Sequence, residues 1–421
     1  MNRALTSDAA GREKSAWAAG LFRAARVCLL TLLVVVSFEY ITALREALLL
    51  LGAALLIASL VLGGQRRFRA TALFWPLVAY LVVAVISVFT SVSPLYSLSE
   101  VRGVLLKGIF AYYVMLHLVG AREHIRQAWS ALLVGAALMS LSGLAMMLLG
   151  EVSSADGVDR AGSLAGGYQY FATYLVLVWP LVLLAPWLYR ERWLRWLAAG
   201  LVPLTVAAAY VTQTRGAWLA LCVETALLLV VMSRRRWLAA GVGVALCAAV
   251  VAAVLWLPQL SHGEKWSQLW RSPSRVQGSA GDLVQVWSHA WREIKRHPFV
   301  GIGYGRETFT DAYPEFRRSH QPLLWHTHNV FVENALHLGV QGLVALLVLL
   351  AVLAVKLWPR SPPRPGRVEE LIAAVGVATL VGFCVRNLTD SLFVDSPALL
   401  FWMIMGLACS REYLPDAGRS R

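Results

Sequence analysis

Charge is what this chain has least of. Only 15% of its 421 residues are Asp, Glu, Lys or Arg, against about 25% in an average soluble domain. Apolar residues make up 58%, and the mean hydropathy is +0.62, which excludes an ordinary soluble fold and places the chain in lipid. Acidic residues are the scarcest charges, 24 against 38 Lys and Arg, for a net charge of +14. The basic residues sit in short clusters between apolar runs, a sign of membrane topology before a sign of nucleic acid. Cysteine is rare too. Cys28, Cys222, Cys247, Cys384 and Cys409 all fall inside apolar runs, and no CxxC pair exists; they read as small buried hydrophobes, not as disulfides or a metal cluster. No Walker loop, GxSxG, HExxH or paired-Asp signature occurs, so nothing points to nucleotide or hydrolase chemistry. Internal repeats, low-complexity tracts and a soluble domain are also missing. No small-residue cleavage site follows the first apolar run, so the polar N-terminus reads as a cytoplasmic tail and not as a removable leader.

What is present is long apolar runs. A membrane helix takes about 20 apolar residues, and twelve candidates centre near residues 34, 55, 80, 111, 138, 178, 203, 224, 247, 347, 377 and 401. The fold class expected is an all-α polytopic membrane protein with about twelve transmembrane helices and one long loop. Residues 1–257 then hold helices one to nine, 258–329 the loop, and 330–421 helices ten to twelve. The clusters Arg66/Arg67/Arg69, Arg122/Arg126, Arg190/Arg192/Arg195, Arg234/Arg235/Arg236 and Lys356/Arg360/Arg364/Arg367 occupy every second loop, and the basic termini share their parity. By the positive-inside rule both termini are cytoplasmic, and SPPRPG at 361–366 is a cytoplasmic linker. The long loop lies on the far side and is itself basic; long loops translocate largely regardless of charge, so its charge needs a reason other than topology.

Within that loop, 282–297 reads as an amphipathic helix with Leu283, Trp287, Ala290, Trp291 and Ile294 at three- and four-residue spacing and Arg292, Lys295 and Arg296 alongside. Such a helix suits the outer membrane interface, or packs on the membrane domain. HPFVGIGYG, 297–305, follows as a turn-rich segment where backbone can approach a ligand.

The richest segment is QPLLWHTHNVFVENALHLGVQGL, 321–343, which sets His326, His328 and Asn329 directly before an apolar helix. Ionisable groups at a membrane boundary are costly to keep, so a cluster of them is a functional hypothesis by default. An imidazole can accept a proton from a hydroxyl near neutral pH, which makes His328 an acid–base candidate; capping the helix or bonding a carbonyl is the plainer alternative. His320, His326 and His328 form only a weak metal pattern, lacking a close carboxylate pair. Arg215, in TQTRGAW between two apolar helices, and Arg160, in DRAGSLAGGYQYFATYL, offer donor forks suited to phosphate or to a structural ion pair. Glu224, inside the eighth apolar run, is either a proton relay or an arginine's partner.

HPFVGIGYGRETF followed by HTHNVFVENALHLGVQGL resembles the core of the O-antigen ligase and polymerase superfamily, and TQTRGAWLA resembles its arginine-bearing segment. The resemblance covers roughly residues 155–345. It implies a GT-C-like glycosyltransferase of the bacterial inner membrane that works on the periplasmic face without nucleotide or metal. It would move a polysaccharide from undecaprenyl diphosphate to an acceptor. The length, the single loop of moderate size and the want of a soluble C-terminal extension favour the lipopolysaccharide ligase, with lipid A-core as acceptor. An O-chain polymerase or a protein O-oligosaccharyltransferase would share the donor. A transporter or flippase would be expected to show inverted repeats and charges on several midplane segments. Arg215 matches the family's arginine, and its essential histidine falls at His328, with His326 as fallback. The family's further arginine, four residues before the amphipathic tryptophan, is Leu283 here, so that role passes to Arg275 or Arg292, with Arg296 and Asn329 as further substrate contacts. The asparagine-proline-asparagine run often seen before the sixth helix is GGYQYFATYL here. The implied chemistry is direct displacement with inversion. Arg215, with Arg160 or a loop arginine, would bind the donor diphosphate, and His328 would serve as general base.

Overall fold

A computed structural model describes residues 2–64, 69–153, 159–260, 273–319 and 326–414, and the chain is mostly helical, at 79%. Runs of Leu, Val and Ala with few charges leave the backbone no partner in lipid but itself, so helices form. In chain order they are α1 (Asn2–Val35), α2 (Thr42–Leu62), α3 (Phe74–Thr90), α4 (Pro94–Glu100), α5 (Lys107–Leu118), α6 (Arg122–Leu149), α7 (Tyr168–Leu188), α8 (Arg192–Val211), α9 (Arg215–Met232) and α10 (Arg236–Leu260). They continue with α11 (Pro273–Arg296), α12 (Thr308–Ala312), α13 (Pro314–Ser319), α14 (Val330–Leu338), α15 (Val340–Leu357), α16 (Val368–Arg386) and α17 (Asp395–Cys409). A short antiparallel pair, β1 (Val152–Ser153) with β2 (Arg160–Ala161), precedes α7.

Among the described residues, nine helices are long and apolar enough to cross a membrane: Lys14–Val35, Glu39–Leu62, Pro94–Leu118, Arg122–Leu149, α7, α8, α9, α15 and α16. The chain is an all-α polytopic membrane protein. The runs centred near 80 and 401 are helical but short, at 17 residues in α3 and 15 in α17, and the run near 247 falls in α10. The first crossing lies earlier than the run near 34 suggested, because the helix begins within the polar N-terminus and ends at Val35.

Burial sorts the helices. The crossing windows of α7 and α16 are 83% and 72% buried, against 28% for Lys14–Val35 and α15, so α7 and α16 form the centre, with α17 buried beside them. Pro180 and Pro186 remove backbone donors inside α7; the same helix is tied to its neighbours by Thr379 Oγ1 donating to Leu177 O and Trp129 Nε1 donating to Leu181 O.

The two ends of this bundle differ. Arg69 donates to the carbonyls of Leu116 and Val119, just before α6. Arg122 pairs with Glu369, Arg236 donates to Pro359 O, and Gly366 N donates to Trp187 O. These links draw residues of all five basic clusters to one end; Arg66 and Arg67 themselves lie outside the described residues. Tyr168 and Arg386, at the other ends of α7 and α16, mark the opposite face, and α7 alone is about 30 Å long.

α5 and α17 approach until backbone meets backbone. A Cβ on Gly406 would stand 2.3 Å from Tyr112 O, and a carbonyl held in a helix cannot swing aside. Gly406→Ala is therefore expected to cost about 1–3 kcal/mol and lower the thermal unfolding midpoint in detergent. Gly200→Ala in α8, where a Cβ meets nothing, is expected to leave that midpoint unchanged or raised.

Candidate functional site

At the end of the bundle away from the basic clusters, the segment Arg386 to Ser391 organises everything around it. Arg386 ends α16 and is buried, as is Asp390. Arg386 Nη2 donates to Asp390 Oδ2 at 3.1 Å, and the Ser391 backbone N–H donates to Oδ1 at 2.8 Å. Asn387 locks the turn: its amide donates to Phe383 O at 2.8 Å and its Oδ1 accepts from Leu392 N at 2.7 Å. The same segment docks the start of α14, through Val330 N to Asn387 O at 3.0 Å and Asn329 Nδ2 to Leu388 O at 3.1 Å. Asn329 Oδ1 caps α14 by accepting from Phe331 N and Val332 N. Its amide is thus engaged at both ends.

That docking brings the histidines onto Asp390. The His326 and His328 rings overlap, with centroids 3.7 Å apart. His328 Nδ1 lies 3.6 Å from Asp390 Oδ1 and His326 Nε2 lies 4.0 Å from it. The two differ in access: the His326 side chain is 1% exposed and that of His328 is 18%. His328 also holds φ at +51°, the left-handed region that costs a side-chain-bearing residue roughly 1–3 kcal/mol and recurs at functional sites.

His326 has a close partner at each ring nitrogen. Arg306 Nη2 reaches its Nε2 at 2.8 Å, and the His328 backbone N–H donates to its Nδ1 at 3.0 Å. Burial pushes its pKa down to about 4, with the Arg306 guanidinium pushing the same way against the opposing pull of Glu333. His326 is a neutral positioning group. Glu333 accepts from Ser391 Oγ at 2.7 Å and lies 3.6 Å from His326 Nδ1. Burial works against its charge, yet the neighbouring His326 and His337 and the Arg306 guanidinium outweigh it and hold it at about 2. Burial likewise opposes a charge on Asp390, but the bond with His328 and the Arg386 guanidinium outweigh it and keep the carboxyl well below the usual range.

Arg215 is the first residue of α9 and not a loop residue. Its position follows from Gly216, where a Cβ would stand 2.3 Å from Thr389 Oγ1 and 3.7 Å from Arg386 Nη1; only a bare backbone lets α9 start against the Arg386–Ser391 segment. Gln213 just before it also has a positive φ, +49°. Arg160 is the charged neighbour of Arg215, and it lies over the Tyr168 ring at 4.9 Å while donating to its hydroxyl at 3.3 Å. Arg215 and Arg160 are exposed or half-buried, a pair of like charges at one boundary.

Other expected residues fall elsewhere. α11 packs on α14 and α12 through Val286, Ala290 and Ile294, which meet Ala335, Leu336 and Phe309. Trp291 is instead 57% exposed, under Lys295, so the buried stripe is rotated from the expected one by the packing on α14. Trp287 reaches the histidine loop, donating to Thr327 O at 2.8 Å. Arg292 and Arg296 are exposed, Arg296 pairing with Glu293, and no contact among the described residues links either to the histidines. The side chain of Arg275, and all of His320, lie outside the described residues. The glycine segment approaches a helix end and not open space: Ile302 N and Gly303 N donate to Leu336 O and His337 O, closing the last turn of α14. Gly303 does so at φ +107°, a backbone state that needs glycine. Glu224 is fully buried against Gly382 of α16, and neither oxygen has a hydrogen-bond partner among the described residues.

His326, His328 and Asp390 bring three ligand-type atoms within 4.8 Å of one another. A cation there would meet the Arg306 guanidinium already at His326 Nε2 and would compete with Arg386 for Asp390. The donor set fits a hydrogen-bonded network better than a divalent ion.

Arg306, Glu333, Arg386 and Asp390 were not singled out from sequence. Arg386 and Asp390 carried a usable signal, opposite charges four residues apart at the end of an apolar run.

The burial of His326 fixes a pH dependence. Its folded pKa of about 4 lies below the ordinary 6.5, so below 6.5 the unfolded chain binds a proton that the folded one refuses. Stability is expected to fall by up to about 1.4 kcal/mol per pH unit as pH drops from 6.5 towards 4. Glu333, depressed from 4.5 to about 2, adds a loss only below 4.5. Thermal melts across pH should show a larger fall through the upper window in the parent protein than in His326→Asn.

Residues 200–347 match the family model described as O-antigen ligase, a likeness consistent with the O-antigen ligase and polymerase superfamily. The match takes in Arg215, α11, Arg306 and the histidines, and leaves out Arg160, Arg386 and Asp390. Among curated proteins none matches the chain.

Proposed function

We propose that this membrane glycosyltransferase is an O-antigen ligase, moving a polysaccharide from undecaprenyl diphosphate to a sugar hydroxyl of lipid A-core. The observation that carries the reading is His328 held against buried Asp390, at the end of the bundle where Arg215 and Arg160 also gather. The positive-inside rule assigns the opposite, cluster-bearing end to the cytoplasm, and with it both termini. The histidines then face the periplasm across the inner membrane. Residues 1–257 and 330–421 serve as the membrane body and 258–329 as the periplasmic loop.

The reaction needs two kinds of help. The leaving diphosphate gathers charge, and Arg215 with Arg160 at a boundary of low dielectric stabilises it; removing one such interaction commonly costs about 10²–10³ in rate. The acceptor hydroxyl must lose its proton. His328 takes it, with Asp390 orienting the ring and stabilising the imidazolium, in the manner of an Asp–His pair, worth about 10²–10⁴. His326 keeps its proton balance fixed and holds Arg306 beside the pair. Direct displacement at the anomeric carbon inverts its configuration; a retained configuration in the product contradicts single displacement. No nucleotide or metal enters any of these steps. The exposed Arg292 and Arg296 of α11, with Arg275, attract the anionic acceptor core, a role that requires charge and not contact with the histidines.

The test is reconstituted transfer with undecaprenyl-diphosphate glycan and lipid A-core, with EDTA and without ATP. Parent protein is expected to produce the ladder, and Arg215→Ala and His328→Ala, still folded, to lose at least about 10² in rate. Elongation of the donor in place of transfer to lipid A-core makes the protein a polymerase; transfer to a protein makes it an O-oligosaccharyltransferase.

A further inference from the structure

A cavity of about 710 Å³ opens at the end of the bundle opposite the histidines, where α7 ends and α8 and α16 begin. Its walls are Trp187, Tyr189, Arg190, Arg195, Pro365 and Arg367, and no acidic side chain lines it. The walls are tied together: Gly366 N donates to Trp187 O at 3.0 Å, and Arg195 Nε donates to Tyr189 O at 2.8 Å. The charge is only partly compensated. Arg190 has no hydrogen-bond or ion-pair partner among the described residues. Glu370, the nearest acid to Arg367, is engaged by Arg364 Nε at 3.1 Å and 3.2 Å and is 3.9 Å from Arg367. Arg195 spends one donor on a carbonyl, leaving its other guanidinium donors for a ligand.

We propose that this cavity holds the phosphate headgroup of an anionic phospholipid from the leaflet opposite the histidine site. Three arginines supply the bidentate donors that a phosphate takes. A lipid, and not a free phosphate, is the occupant because the cavity sits among membrane-interface tryptophans. Trp187 is exposed at its rim, and Trp193 and Trp196 stand exposed on the first turns of α8; such rings settle at the headgroup level with their faces against acyl chain. Basic pockets between membrane helices are a recurring way of holding acidic headgroups. The bound lipid would bridge the α7–α8 turn to the start of α16, the two central helices whose far ends carry Tyr168 and Arg386.

Native mass spectrometry of the full chain, delipidated and offered phosphatidylglycerol or phosphatidylcholine, tests this. Phosphatidylglycerol is expected to be preferred, with its affinity falling roughly fivefold for each arginine removed in Arg190→Gln and in the triple Arg190→Gln/Arg195→Gln/Arg367→Gln variant. Arg234→Gln/Arg235→Gln, a change of surface charge elsewhere on that face, is expected to bind as the parent does. Equal binding of phosphatidylglycerol by parent and Arg190→Gln overturns the proposal, and so does equal retention of the two lipids by the parent. Displacement of the lipid by excess inorganic phosphate would mark a free-anion site and overturn the lipid assignment. Arg190→Gln removes no described partner, so it keeps the test valid if the triple variant fails to fold.

Discussion

Arg386 and Asp390 lie one helical turn apart where α16 ends, both almost wholly enclosed, and two charges at such a place are tolerated only because each is answered. The desolvation of a buried pair can exceed its Coulombic gain, and removing one partner leaves a stranded charge costing about 3–5 kcal/mol. What recovers that cost here is the number of further bonds converging on the same segment. Asp390 also accepts from Ser391 N and faces both histidines. Asn387 and Leu388 accept from the first residues of α14, fixing the direction in which that helix leaves. Gly216 brings the start of α9, and with it Arg215, against Thr389. Loss of the pair would therefore loosen the histidine loop, α14 and the Arg215 end of α9 together.

The histidines divide one task between them through burial alone. His326 is enclosed, stays neutral and contacts Arg306; His328, partly open and close to Asp390, is the one that the proposed reaction uses on an incoming hydroxyl. The same residue type two positions along the chain thus takes two degrees of exposure, set by which ring the fold covers. Glu333 keeps its charge in spite of its burial, because the hydroxyl of Ser391 and the neighbouring His326, His337 and Arg306 replace the water it gave up.

Much of the framework was legible from residues. Apolar runs fixed the class, and nine of them are helices of crossing length. The basic clusters were read as lying on one side, and Arg69, Arg122, Arg236 and Gly366 tie their loops together at one end. His326, His328 and Arg215 drew attention because polar groups at a membrane boundary need a reason. What could not be read was pairing across distance. Nothing local in RNLTDS says that Asp390 meets a histidine sixty-odd residues earlier, since that contact depends on how α14 and α16 pack. The stripe of α11 was misjudged for the same reason: periodicity gives a face to within a turn, and α14 chose Val286 over Trp291. Asn329, directly before a helix, also caps α14 with its amide oxygen, a use that its position alone makes legible.

The central claim is that Asp390 and His328 act as one unit on the acceptor proton. A double-mutant cycle on the single-turnover rate of glycan transfer, with Asp390→Asn, His328→Gln and the pair, tests it most directly. If the account holds, the double variant loses clearly less than the product of the two single losses, because the part of the Asp390 loss that acts through His328 is already gone and only its support of Arg386 remains. If the two losses multiply in full, nothing of the Asp390 effect runs through His328, and the Asp–His account of the site is wrong.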